Sequence, residues 1–222
     1  MVAGRTLRLA HRGDWRVAPE NTVAAMHAAA AIPACDGLEF DVRTSSDGVP
    51  VVIHDATLDR VQGRPDAVEA MTAAALADLD VPTLANVLEA ADRHAFLDVE
   101  LKTVPGPAIV EVLAAGRGPQ LTGAVVSSFE EAALVRIGRL APSWPRWLNA
   151  ETLEPAILEQ ATRLGCVGIS VWWEAVDRDG MERSRAAGLE VAAYTVRDRA
   201  TFDRLANLGV VAVCVEAAAL DG

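Results

Sequence analysis

Nine short apolar runs, nearly all separated by stretches rich in Ala, Leu, Glu and Arg, constrain this chain more than any other feature. They cover residues 7–11, 37–42, 51–54, 95–102, 124–128, 147–150, 166–171, 190–195 and 210–215. Helical periodicity fills most of the intervals, at 20–31, 83–93, 107–115, 130–140, 154–164, 178–187 and 199–208. Such alternation implies a parallel sheet, open or closed. Thr83 after Pro82 is a helix N-cap by residue type, and Gly116 and Gly188 are expected to end helices. One interval breaks the rule. Between Val42 and Val51 the chain reads Arg-Thr-Ser-Ser-Asp-Gly-Val-Pro, too short for the crossover that a parallel neighbour needs. Its Asp47-Gly48 pair is a hairpin-turn signal, so the third run should return antiparallel beside the second. Eight parallel strands remain, the number that closes a (β/α)₈ TIM barrel. The rival, an open doubly wound sheet, lacks support because no glycine-rich phosphate loop follows any strand. With 51% hydrophobic residues in 222, and no linker, repeat or low-complexity segment, the chain reads as a single barrel domain over 1–222.

Acidic residues outnumber basic ones by 31 to 20, for a net charge of −11. That surface disfavours nucleic acid and anionic membranes as partners. No apolar run approaches the roughly 18 residues that span a bilayer, so stable membrane insertion is not expected. Met1 leads almost directly into strand-like sequence, leaving no room for a signal peptide, and the expected location is the cytoplasm. Cys35, Cys166 and Cys214 are odd in number and widely spaced, which fits small apolar residues with reduced thiols. Among the 20 basic residues there is a single lysine, Lys102. A homo-oligomer is left open.

Two strands carry charge where a barrel strand should be apolar on both faces. In Leu38-Glu39-Phe40-Asp41-Val42-Arg43, the apolar residues point one way and Glu39, Asp41 and Arg43 the other. Asp98, Glu100 and Lys102 share a face in the same manner. If the apolar sets face the helices, the charges point into the barrel, and buried carboxylates then require a cation. Hard oxygen donors without nearby thiols suit Mg²⁺ or Ca²⁺. Glu39, Asp41 and Glu100 would form the ligand set at the C-terminal mouth of the barrel. His11 ends the first strand, with Arg12 beside it, and the hairpin brings His54 back to the level of Asp41. Two imidazoles therefore flank the carboxylates. His27, within a helix, and His94, before a strand, have no such setting.

The residues His11-Arg12-Gly13, Pro19-Glu20-Asn21-Thr22, Glu39-Phe40-Asp41-Val42, His54-Asp55, Thr57-Leu58-Asp59-Arg60, Pro82-Thr83-Leu84, Glu100-Leu101-Lys102 and Ser128-Phe129 occur in that order. The chain thereby resembles the glycerophosphodiester phosphodiesterases, from His11 to about Val215, more specifically in its first half than in its second. The resemblance implies a TIM barrel that hydrolyses a small-molecule glycerophosphodiester to glycerol 3-phosphate and an alcohol. It implies His11 and His54 as the acid/base pair, and Glu39, Asp41 and Glu100 as ligands of one divalent cation. Arg12 and Lys102 would hold phosphate, and Glu20 and Tyr194 would belong to the substrate site. For Glu20, helix-start chemistry beside Pro19 is an equal alternative. Trp172 and Trp173 could line an alcohol pocket, although packing at the core or rim is the simpler expectation.

The late motifs depart from the family pattern. A Trp-Thr-Val-Asn run is here Tyr194-Thr195-Val196-Arg197, and a Thr-Asp strand end is here Val215-Glu216. The stretch between His54 and Glu100 is also short for the family, so less of a lid is expected. Two other functions fit the same residues: a related lipid phosphodiesterase, or a non-catalytic sensor of glycerophosphodiesters.

Overall fold

Alternate apolar side chains decide the architecture seen in a computed structural model of the chain, whose described residues are 4–222. Leu38, Phe40 and Val42 of strand β2 (Gly37–Thr44) are buried with Leu97, Val99 and Leu101 of β4 (Phe96–Leu101) in one large core under the helices. Their charged alternates therefore face the barrel axis. The remaining parallel strands are β1 (Leu7–His11), β5 (Ala124–Ser128), β6 (Arg146–Ala150), β7 (Gly168–Trp172), β8 (Glu190–Val196) and β9 (Ala212–Val215). β1 pairs with both β2 and β9, which closes eight parallel strands into the expected TIM barrel. β3 (Pro50–Val52) lies antiparallel on the end of β2, with Val42 opposite Val52. Gly48 supplies the positive φ of +80° at that turn. A second apolar layer, built from Leu9, Val125, Trp147, Ala192 and Ala212, fills the barrel interior.

The helices mostly follow the sequence reading, with shifts at their ends. Thr83 caps α4 (Leu84–Ala90) in a reciprocal capping box with Asn86. Helix α1 is Val23–Ala30, shorter than the expected 20–31, because Thr22 is the cap and Glu20 and Asn21 turn back toward the strands. Gly116 does not end its helix. α5 (Ala108–Arg117) runs on through it, and Gly118 is the C-cap. Gly188, with φ +73°, does follow the end of its helix at Arg178–Ala186. The strand expected at 166–171 is displaced to Gly168–Trp172, since Cys166 closes the preceding helix by donating its N–H to the Ala161 carbonyl.

Between β3 and α4 the chain is more structured than its sequence suggests. It forms α2 (Asp59–Gln62), a 3₁₀ turn (Val68–Ala70) and α3 (Ala73–Ala77). Val51, Ile53, Leu58, Val68, Ala73, Leu76 and Val81 bury one another there in a small core of their own. This packing fixes the segment that carries His54. No cysteine is in a disulfide: Cys166 and Cys214 are buried and Cys35 is partly so. Among the described residues, no helix is long and apolar enough to cross a membrane.

Candidate active site

The strand register assembles the centre. His11 of β1 lies opposite Glu39 of β2, and Asp41 of β2 lies opposite Glu100 of β4. Oxygen atoms of Glu39, Asp41 and Glu100 all lie within 4.8 Å of one another. Glu39 is 3% exposed and Asp41 is fully buried. Both Glu39 oxygens and Asp41 Oδ1 have no hydrogen-bond partner. Burial, together with the charges of Asp41 and Glu100, pushes the Glu39 carboxyl well above the usual range. Glu100 is raised by burial and by Asp41. Burial also opposes ionisation of Asp41, but Arg12, Lys102 and His54 outweigh it and hold its pKa low. Three converging carboxylates, two of them buried with oxygens that lack a hydrogen-bond partner, suit a hard divalent cation.

Cations surround this cluster. Arg12 Nε lies 3.1 Å from Asp41 Oδ2, and Lys102 Nζ lies 3.4 Å from Asp41 Oδ1 while donating to Glu100 Oε1. Arg12 stands at φ +62° in the turn after β1. The turn closes on Gly13, where a Cβ would come within 2.6 Å of the Ala25 backbone. Asn21, also at positive φ, donates its side-chain amide to Asp41 Oδ2 at 2.8 Å. Asp98, deeper in the barrel, does not join the three ligands. It accepts a 2.6 Å bond from the Ser127 hydroxyl, and burial raises its pKa to about 7.

Each histidine is held through Nδ1 by a carboxylate. His54 Nδ1 meets Asp55 Oδ1 at 2.6 Å, and His11 Nδ1 meets Glu216 Oε1 at 2.5 Å. His11 Nε2 is 3.8 Å from Glu39 Oε2. Burial lowers the His54 pKa against the pull of Asp41 and Asp55. Asp55 is bound in turn by Arg60, which grips both oxygens of Glu20, and Glu20 also accepts from Arg12. Glu20 thus links the two arginines and does not start the helix. Tyr194 sits on β8 with its hydroxyl donated to the Ala150 carbonyl, leaving its ring against Phe129 and Trp172. Trp172 is exposed, whereas Trp173 packs on the core under Arg204. His27 and His94 are exposed and belong to other surfaces.

The structure adds residues to the site that the sequence reading left without a role. Asn21, Asp55 and Arg60 lie inside the quoted motifs, so their positions were marked even though their partners were not. Arg197 and Glu216 were visible only as departures. Their contact, Arg197 Nε to Glu216 Oε2 at 2.7 Å, joins residues that follow two different strands and leaves no local signal.

A profile of the glycerophosphoryl diester phosphodiesterase family matches residues 11–220. A glycerophosphodiester phosphodiesterase of Bacillus subtilis is 28% identical, over 94% of this chain and 83% of the relative. Among solved structures, an Oleispira antarctica phosphodiesterase in complex with the product sn-glycerol-3-phosphate is 30% identical. It superposes with a TM-score of 0.83 over 95% of this chain and 93% of the other. A glycerophosphodiester phosphodiesterase of Agrobacterium tumefaciens is also 30% identical, with a TM-score of 0.82 over 97% and 98% of the two chains. With a family match that runs from His11, at the mouth end of β1, through nearly the whole barrel, the chain belongs to the glycerophosphoryl diester phosphodiesterase family.

Proposed function

We propose that this enzyme hydrolyses glycerophosphodiesters to glycerol 3-phosphate and an alcohol, using one divalent cation and two histidines. The carboxylate cluster carries the reading: three acids whose oxygens converge within 4.8 Å, Glu39 among them with no hydrogen-bond partner on either oxygen, lie between two carboxylate-held imidazoles. Glu39, Asp41 and Glu100 would hold Mg²⁺ or Ca²⁺, which supplies Lewis-acid charge to a phosphoryl oxygen. The chain's own groups do the rest. Arg12 and Lys102 stabilise the charge that spreads over the phosphoryl oxygens as the nucleophile attacks. Because both are already fixed by carboxylates, little reorganisation is needed during the reaction. Of His11 and His54, one takes the proton of the attacking hydroxyl and the other protonates the departing alkoxide, with Nε2 as the free nitrogen of each ring. Glu20 holds Arg12 and Arg60 in place beside the phosphate. Tyr194, with Phe129 and Trp172, offers apolar surface to the substrate. Cytoplasmic residence belongs to the same reading, supported by the three unpaired thiols.

The test uses purified protein with glycerophosphocholine, glycerophosphoethanolamine or glycerophosphoglycerol, in Mg²⁺, Ca²⁺ or EDTA. Metal-dependent release of glycerol 3-phosphate is the expected outcome. Full activity in excess EDTA, with no metal by elemental analysis, removes the cation from the mechanism. Binding without release indicates a sensor, and cleavage of phospholipid alone indicates a lipid phosphodiesterase.

A further inference from the structure

The two late departures from the family pattern meet in space. Arg197 follows β8 and Glu216 follows β9, directly above the paired residues Val196 and Val215. Glu216 uses one oxygen for His11 Nδ1, at 2.5 Å, and the other for Arg197 Nε, at 2.7 Å. Its own N–H is fixed by the Val196 carbonyl at 2.8 Å. The next residue, Ala217, stands at φ +50° and ψ −128°, a conformation that side-chain-bearing residues seldom adopt. Strain of that kind persists where surrounding contacts over-determine a position. Here Arg16 binds the Ala217 carbonyl while also paired with Asp14 and Asp221.

We propose that Glu216 and Arg197 act together as positioning residues for His11. Glu216 accepts the Nδ1–H, which selects the tautomer and turns Nε2 toward Glu39 and the reacting centre. Arg197, mostly exposed at the rim, holds the second carboxylate oxygen so that Glu216 cannot rotate away. The carboxyl also stays ionised: burial opposes this, but the His11 and Arg197 hydrogen bonds bring its pKa down to about 2. The changes to Arg at 197 and to Glu at 216 are then one coupled feature of this chain. The inference rests on the reading of His11 as an acid/base group.

The test combines kinetics with the NMR signature of the His11 ring. Glu216→Gln should lower kcat by about 10- to 100-fold, the usual scale for groups that orient a functional histidine, with KM little changed. Arg197→Ala should cause a smaller loss in kcat that Arg197→Lys restores. In ¹⁵N-histidine-labelled enzyme, the His11 Nδ1–H proton should resonate far downfield and move upfield in Glu216→Gln, a readout independent of turnover. In a His11→Ala background, Glu216→Gln should add no further loss. Wild-type kcat in Glu216→Gln beside an impaired His11→Ala, or losses that multiply in the double variant, would overturn the positioning pair while leaving His11 catalytic. Normal turnover by His11→Ala would overturn both the pair and the assignment of His11.

Discussion

The two halves of the barrel mouth are built on different principles. β1, β2 and β4 present His11, Glu39, Asp41 and Glu100, with Lys102 just beyond β4, and except at Glu39 each charged side chain there has an atom within 3.4 Å of an opposite charge. β5 to β8 present Ser127, Asn149 and Ser170 within the barrel, and above them Phe129, Trp172 and Tyr194. Those rings meet edge to face, with centroids 5.8 and 6.2 Å apart, and Phe129 and Trp172 stay 46% and 41% exposed. Lys102 joins the halves, its Nζ 5.9 Å from the Phe129 ring. An ionic wall is rigid because displacing one charge strands another; an aromatic wall can yield at small cost. The first suits a reaction whose charge distribution is the same for every substrate, and the second suits an alcohol that varies.

This contrast can be broken experimentally, most severely on the ionic side. His54→Ala should lose about 10²- to 10⁴-fold in kcat, the range for acid/base groups. Its folding should survive, because the ring lies at the mouth and its segment is held by a separate apolar core. A near-normal rate, with circular dichroism unchanged, would remove His54 from the mechanism. Lys102→Arg should cost on the order of 10-fold or more in kcat/KM, since a broad guanidinium cannot occupy the space of a compact ammonium between Asp41 and Glu100. Metal content by elemental analysis should be unchanged. Tolerance of arginine would make Lys102 a charge balance only. Across the mouth, Trp172→Ala should raise KM by a few-fold, by different factors for different alcohols, while kcat changes little. A uniform fall in kcat would mean that the aromatic wall positions the reacting group after all. The smallest effect is on stability. Ala217→Gly should raise the melting temperature, because relief of an unfavourable positive-φ conformation recovers about 1–3 kcal/mol, less the entropy a glycine adds to the unfolded chain. A lower melting temperature would mean that the turn is unstrained.

How much of this was legible in the sequence follows the same division. The ionic wall was readable because a period of two in acidic residues, set inside otherwise apolar strands, has few explanations. Glu39, Asp41 and Glu100 converge as that period implied. The barrel itself followed from counting, once Asp47-Gly48 had removed one strand from the parallel set. Ends of elements were less legible: Gly116 looked like a helix stop, but Gly118 serves. The segment 55–82 hid its helices because each is only a few residues long, too short for periodicity to show. Glu216 was opaque for a different reason. Nothing near it in sequence announces a partner, and its meaning depends on β9 closing against β1 at the far end of the chain.

The Glu39 carboxylate, without a hydrogen-bond partner, has a consequence for folding. To fold, the chain must strip water from an acid that Asp41 and Glu100 repel, and Arg12 offsets this only in part. A cation taken up there, as proposed above, would therefore also be a folding ligand, worth RT ln(1 + [M]/Kd), or about 2.7 kcal/mol at a hundred times Kd. Against a total stability of about 5–15 kcal/mol for a typical protein, that is a substantial share. On that proposal the melting temperature should rise with the free concentration of the ion, so metal supply would set how much native protein survives before it set how fast each molecule turns over.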